Sequence, residues 1–345
     1  MPGRIVLVTG VSRYLGGRVA TLLQADPAID QVIGVDVEPP RADLGRTEFV
    51  RADIRNPIIA KVIASAGVDT VVHMSVIATP FGAGGRTAMK EINVIGTMQL
   101  LAACQKAPGV RRLVVKSTTA VYGSSSRDPA LFTEEQEPRA IPRTGYAKDA
   151  VEVEGYVRGF GRRRPDVAVT LLRFANFLGP RIETPFTRYF SLPVVPRILG
   201  FDPRLQFVHE DDGVEVLCRA TLEEHPGTFN VAGPGVVLLS QAIRRAGRAA
   251  VLVPSPAVTV VGQAFRRTGL VDFSPEQLQF LRHGRVVDTS RLQTRFGYTP
   301  RYGTLATFDE FLRGRDVHGY LHPELLARVE RAVTDGLERR RAVHA

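Results

Sequence analysis

Cysteine is scarce: the 345 residues hold only Cys104 and Cys218. So distant a pair builds neither a disulfide framework nor a cysteine zinc site, and both read as free thiols of a reducing compartment. Long apolar runs are missing as well. The opening MPGRIVLVTG turns polar and glycine-rich after five apolar residues, too short for the core of a signal peptide. The most apolar later stretch, Val251 to Val261, is broken by Pro254 and Pro256 and is too short to cross a bilayer. These absences lead to the expectation of a cytoplasmic protein without a membrane span. No internal repeat or low-complexity segment is visible, which excludes solenoids and repeat arrays.

Lysine is rare too. Of 45 basic residues only Lys61, Lys90, Lys106, Lys116 and Lys148 are lysine, a skew typical of a GC-rich genome. The net charge of +10 is scattered apart from Arg162–Arg164 and Arg339–Arg341. No recognition-helix motif or aromatic-plus-basic strand accompanies it, so specific nucleic-acid binding is not expected. The charge reads as solvated surface with some attraction for phosphate-bearing small molecules. Hydrophobic residues at 44% and charged residues at 23% are ordinary for a packed chain, and the length suits one domain with a lobe attached.

Apolar runs at Ile5–Thr9, Gln31–Asp36, Thr70–Met74, Leu113–Ser117 and Val167–Phe174 read as strands. They are continuous rather than alternating, as in a sheet covered on both faces. Helical periodicity runs between them, at Val19 to Leu23, Thr87 to Lys106 and Lys148 to Phe160. The fold expected is α/β, a Rossmann-type doubly wound parallel sheet occupying residues 1–178. After Gly179-Pro180 prolines at 185, 193, 196 and 203 interrupt the pattern, so 179–345 reads as a smaller substrate lobe of short helices and loops. A strand near 228–232 returns to the sheet, and Glu324 to Arg341 reads as a basic amphipathic helix.

Where the first strand meets the first helix stands Thr9-Gly10-Val11-Ser12-Arg13-Tyr14-Leu15-Gly16. Such a turn aims backbone N–H groups and a helix N-terminus at a pyrophosphate. Gly10 permits the tight turn and Gly16 close helix–strand packing. Arg13 occupies the middle position of a GxxGxxG spacing, where its Cβ narrows the backbone approach and its guanidinium offers a phosphate partner instead. Asp36 closes the second strand, where a carboxylate accepts from ribose hydroxyls and repels a 2′-phosphate, favouring NAD over NADP.

Further motifs follow in order. Asp53-Ile54, Asp69-x-Val-Val-His73, Asn93-Val-x-Gly96-Thr97 and Ser117-Thr118-Thr119-Ala-Val-Tyr122-Gly123 lead to Arg173-Phe-Ala-Asn176-Phe-Leu-Gly179-Pro180, then Phe207-Val-His209-Glu-Asp211-Asp212 and Phe229-Asn230-Val231. Together with the glycine loop this series resembles the NAD-dependent epimerase/dehydratase family of extended short-chain dehydrogenase/reductases, over Ile5 to about Asp309. The resemblance implies an NAD-dependent oxidoreductase or isomerase acting on a nucleotide sugar or related alcohol. It places Asp53 and Ile54 against the adenine and Asn176 on the substrate diphosphate, and implies a homodimer. His73, His209 and Asp212 read as structural, and Asn93 as a brace of the active-site helix.

Family chemistry needs a tyrosine phenol to exchange the alcohol proton, a lysine to lower that phenol's pKa, and a Ser or Thr to hold the substrate oxygen. Tyr and Lys stand as Tyr-x-x-x-Lys because i and i+4 share a helix face. Thr118 matches the hydroxyl, and Lys148 followed by Glu152 matches the lysine, which also contacts the cofactor. Four residues before Lys148, however, stands Thr144. Three alternatives remain: Tyr146 is the acid/base through a shifted helix start, Tyr122 approaches from the strand side, or no tyrosine serves. The second functional reading is accordingly a catalytically silent or weak NAD(P)-binding protein with a regulatory or scaffolding role.

Overall fold

The first strand, β1 (Arg4–Thr9), lies at the middle of a seven-stranded sheet because both its faces are apolar. The computed structural model describes residues 4–75, 85–137, 142, 145–255 and 275–317; Thr144 and the helix expected at 324–341 lie outside them. From β1 the chain builds α1 (Tyr14–Leu23), β2 (Ile29–Asp36), β3 (Glu48–Arg51), α2 (Ile58–Ser65) and β4 (Thr70–His73). Then come α3 (Arg86–Lys90), a π-helical turn over Glu91–Gly96, α4 (Thr97–Lys106), β5 (Arg112–Thr118), α5 (Gly145–Arg163) and β6 (Ala168–Phe174).

The strand order is β11-β6-β5-β4-β1-β2-β3, every pairing parallel, where β11 is Gly227–Val231. This is the expected doubly wound fold. Its order reverses between β1 and β4, the place where such sheets open a crevice at the carboxyl ends of their strands. Side chains of alternate parity divide between two cores. Val6, Val8 and Val114 pack under α1, while Leu7, Val71, Leu113 and Val115 pack under α2, α4 and α5. The long helical run expected from Thr87 to Lys106 contains a π-turn at Glu91–Gly96, where Gly96 lets Ile54 approach: a Cβ there would stand 2.6 Å from its Cδ1.

Beyond β7 (Asn176–Leu178) the chain forms α6 (Pro185–Ser191), β8 (Val194–Ile198), β9 (Arg204–Leu205), β10 (Phe207–His209) and α7 (Glu210–Leu222). After β11 follow β12 (Val237–Leu238), α8 (Leu239–Arg245), β13 (Ala249–Val253), α9 (Pro275–His283), α10 (Ser290–Thr294) and α11 (Thr304–Gly314). The expectation of helices and loops alone needs correcting here. Three two-stranded sheets occur, β10 with β7, β12 with β9 and β13 with β8. Pro196 sits inside β8, tolerated because a two-stranded ribbon leaves one edge without a ladder to break. An aromatic core of Phe186, Phe190, Phe207, Phe280 and Phe308 holds these pieces together.

Two residues expected to be structural show why they are. His73 is buried between the Thr9 hydroxyl at 3.0 Å and the Thr97 hydroxyl at 2.9 Å. Asp212 accepts from the Tyr298 hydroxyl at 2.6 Å and from the backbone N–H groups of Arg301 and Tyr302. Among the described residues no helix is long and apolar enough to cross a membrane.

Candidate active site

The glycine loop closes over β1 in a form that only glycine permits. Gly10 has φ +77°, in the left-handed region, and a Cβ on Gly16 would stand 2.2 Å from the Gly10 carbonyl oxygen. Arg13 follows in extended conformation as the N-cap of α1 and makes no side-chain cap, so the first N–H groups of that helix are left for a ligand. Desolvation lowers the pKa of the Arg13 guanidinium, and the attraction of Asp36 and Glu38 opposes that shift.

Beside the loop lies a cleft of about 680 Å³, lined by Gly10, Arg13, Tyr14, Asp36, Asp53 and Ile54 among others. Its size suits a nucleotide. Asp36 accepts from the Ser12 N–H at 3.1 Å and the Val37 N–H at 2.8 Å, which fixes its carboxylate at the cleft wall. Asp53 is clamped by the Arg55 guanidinium, whose hydrogen bonds hold its pKa below the ordinary carboxylate value. Leu15 and Gly16 support the loop from below, Leu15 in the core and Gly16 beneath Gly10. Sequence reasoning did not single out Ser12, Glu38 or Ser75, which also line the cleft; the loop and strand-end positions of Ser12 and Glu38 were the available signal.

Tyr14 joins this site to the lobe. Its hydroxyl donates to Glu210 at the start of α7 at 2.9 Å, and Glu210 also accepts from Arg181 and the Ile182 N–H. Burial and this carboxylate push the Tyr14 phenol up to about 12.

At the carboxyl end of β5 the Thr118 side chain accepts from the Ala120 N–H at 3.1 Å, and its hydroxyl lies near enough to the Tyr146 phenol to favour the phenolate. Tyr146 belongs to the first turn of α5, where Glu276 of α9 accepts from its backbone N–H at 3.1 Å. Gly145 is required just before it. Its φ is +65°, and any Cβ would collide with that glutamate at 1.6 Å. Arg86 anchors the same turn from α3, pairing with both oxygens of buried Asp149 at 2.7 Å and donating to the Gly145 carbonyl at 2.8 Å. Asn93 adds a bond to Asp149 at 3.3 Å, in keeping with a bracing role. Burial pushes the Tyr146 phenol up to about 12, opposed by the Thr118 hydroxyl and the Arg285 guanidinium.

Lys148 stands apart from Tyr146 on the same helix. Two residues along a regular α-helix is about 200° of rotation, and α5 begins without the irregularity that would undo it. The Lys148 side chain is 41% exposed and lies 3.7 Å from Glu152, one turn along the helix. The position one turn after Tyr146 is filled by Ala150, buried against Val121, Tyr122 and Phe132. What this helix lacks is therefore the lysine beside Tyr146, whereas sequence spacing alone pointed to a missing tyrosine. The glutamate of α5 that matters to the interior is likewise Glu154, which accepts from Ser117 at 2.6 Å and from Arg173 at 2.7 Å.

Tyr122, the alternative on the strand side, is engaged elsewhere. Its hydroxyl donates to Asn230 at 2.9 Å and accepts from Arg173 at 2.7 Å, inside the closed Arg173–Glu154 network. Its proton is committed, and the ring is buried against Phe132. Asn176 opens β7, two residues past Phe174, the register partner of Thr118, and its side chain is partly exposed.

On the lobe side Arg285 donates to the Gly123 carbonyl at 2.7 Å and the Thr119 hydroxyl at 3.3 Å. Burial pushes its pKa down to about 10. With Arg204, Arg282 and His283 it lines a pocket of about 270 Å³. Two carboxylates line it as well, Asp128 held by Ser125 and Asp202 by Ser240 and Arg197, so three arginines there face two carboxylates.

Comparison with known proteins bears on the family and the fold. The family model for the NAD-dependent epimerase/dehydratase family matches residues 6–232. A Mycobacterium tuberculosis protein described as uncharacterized is 48% identical over 324 residues, covering 93% of this chain and 86% of the relative. UDP-glucose 4-epimerase of Thermotoga maritima, solved with UDP-glucose, superposes with a TM-score of 0.70 at 18% identity, over 90% of this chain and 98% of that one. UDP-glucuronic acid 4-epimerase of Bacillus cereus, solved with UDP-glucuronic acid and NAD, gives 0.67 at 19% identity, over 90% and 99%. At such identities the likeness of the solved structures speaks for the fold alone.

Proposed function

Since this chain belongs to the NAD-dependent epimerase/dehydratase family, we propose that it is an NAD-dependent enzyme acting on a secondary alcohol of a nucleotide sugar. The nearness of the Thr118 hydroxyl at the end of β5 to the Tyr146 phenol in the first turn of α5 supports this reading. NAD fits the cleft: Gly10 and Gly16 shape the loop, α1 offers free N–H groups, and Asp36 stands where ribose hydroxyls would be read. Asp53 and Ile54 would flank the adenine, and bound NAD would supply the hydride acceptor. Thr118 holds the substrate oxygen, while Tyr146 takes the carbinol proton as the C–H bond yields its hydride and returns it when the carbonyl is reduced again. The pocket of Arg204, Arg282, His283 and Arg285 supports a substrate with a phosphate-bearing half, to which Asn176 would contribute its amide.

Ala150 favours a second reading, a silent NAD-binding protein, because nothing on α5 supplies the ammonium that would bring Tyr146 down from about 12. One experiment separates them. The chain is incubated with NAD⁺ and UDP-glucose or UDP-glucuronic acid, products are resolved by chromatography, and NADH binding is titrated in parallel. Turnover abolished by Tyr146→Phe, with NADH binding kept, supports the enzyme; NADH binding without turnover on any nucleotide sugar supports the silent protein.

A further inference from the structure

Among the described residues Lys116 carries a charge without a partner. It sits on β5, one residue before Ser117, whose hydroxyl turns to Glu154 on the α5 side. Strand alternation therefore points Lys116 to the opposite face, that of Val114, which packs in one core with Val11 and Leu15 of the glycine loop and α1. The neighbouring strand β4 ends with His73 opposite Val115, so Lys116 stands one step beyond it, at the rim of the sheet. Among the described residues no hydrogen bond or ion pair reaches its ammonium. The charged group that acts on it is another cation, the Arg13 guanidinium of the loop. Burial, with Arg13 adding to it, pushes the Lys116 pKa down to about 8.

A largely enclosed ammonium without a partner is expensive, and the repulsion of Arg13, itself attracted by Asp36 and Glu38, adds to that cost. Such a pair becomes favourable when an anion enters between them. Arg13 has taken the position where a glycine would let a phosphate approach the backbone, and α5 holds Ala150 in place of a lysine. We propose that Lys116, from the floor of the sheet, and Arg13, from the loop, together clasp the diphosphate of the bound dinucleotide. The assignment rests on the dinucleotide reading above and adds to it the residues that replace the lost backbone contact. Two cations match the two charges of a diphosphate, and charge-assisted hydrogen bonds are the strong kind.

The full chain is titrated calorimetrically with NADH and with ADP-ribose, as wild type, Lys116→Met and Lys116→Arg, and each protein is melted without nucleotide. Lys116→Met is expected to weaken both nucleotides about ten- to a hundredfold, the range of a lost hydrogen bond to a charged group. Lys116→Arg stays within about threefold of wild type, since the charge is kept. Without nucleotide, Lys116→Met melts no lower than wild type, because its removal leaves nothing unpaired. Equal binding by Lys116→Met and wild type overturns the clasp and leaves the dinucleotide reading standing. A lower melting temperature for Lys116→Met, with binding lost equally in Lys116→Arg, overturns it in favour of a packing role. Wild type that binds neither nucleotide brings down the dinucleotide reading itself.

Discussion

Tyr146 and Lys148 lie two residues apart on one helix and face opposite ways: the Tyr146 phenol lies near Thr118, and the Lys148 ammonium lies 3.7 Å from Glu152 at the surface. The helix start that produces this is held by Glu276, Arg86 and Gly145, three groups far apart in the chain.

That opposition makes the two residues separable. Tyr146→Phe should lower turnover by on the order of 10²-fold or more, the usual worth of a general acid–base group. Lys148→Ala should leave turnover within about twofold and stability within about 0.5 kcal/mol, as for an exposed i,i+4 pair. Steady-state rates and urea unfolding of the two variants check both.

Asp36→Ala should narrow the preference for NADH over NADPH. The carboxylate that would repel a 2′-phosphate is gone, and Ser12 loses the acceptor of its N–H. Competitive titration with the two nucleotides measures the ratio; an unchanged ratio would remove Asp36 from the cofactor site.

Gly16→Ala should destabilise the chain by about 1–3 kcal/mol, because the new Cβ meets the Gly10 carbonyl at 2.2 Å and the loop must shift. Denaturant midpoints give the stability change, and NADH titration should show weaker binding in the same variant.

His73 sets part of the acid stability. Burial, with Lys116 adding to it, pushes its pKa down to about 4 from the ordinary 6.5. Between those values the unfolded chain binds the proton and the folded chain does not. Stability therefore falls as pH drops from 6.5 towards 4, by on the order of 3 kcal/mol, and this contribution is fully present above pH 6.5. His73→Gln should flatten the unfolding free energy over that window.

Arg173→Met should cost about 3–5 kcal/mol, since it strands Glu154 without its buried partner and frees the Tyr122 hydroxyl. Replacing Arg173 and Glu154 together by apolar residues should cost less than the single change, which a double-mutant cycle by urea unfolding would show.

Local patterns made much of the fold legible. The strands at Ile5–Thr9, Gln31–Asp36, Leu113–Ser117 and Val167–Phe174 each fall within one or two residues of β1, β2, β5 and β6, because strands buried on both faces must be apolar throughout. The short β3, with no fully buried residue, carried no such signal. In the lobe, proline concealed β8, whose pairing with β13 joins segments some fifty residues apart and leaves no local trace. The positions of the glycine loop, Asp36 and Thr118 could be read because each depends on neighbours in sequence: a tight turn, a strand end, a strand end again.

The chain's own order of residues determined the doubly wound sheet, the crevice at the carboxyl ends of its strands and the placing of Thr118 at the end of β5 and of Tyr146 and Lys148 at the start of α5. Tertiary structure alone decided which way each of them faces. Helix phase is set by where the first turn is pinned, and the pins are Arg86 from one side and Glu276 from the other. The same holds for Lys116: its type and strand are written locally, but its lack of a partner and its closeness to Arg13 exist only once β5 and the loop are folded together.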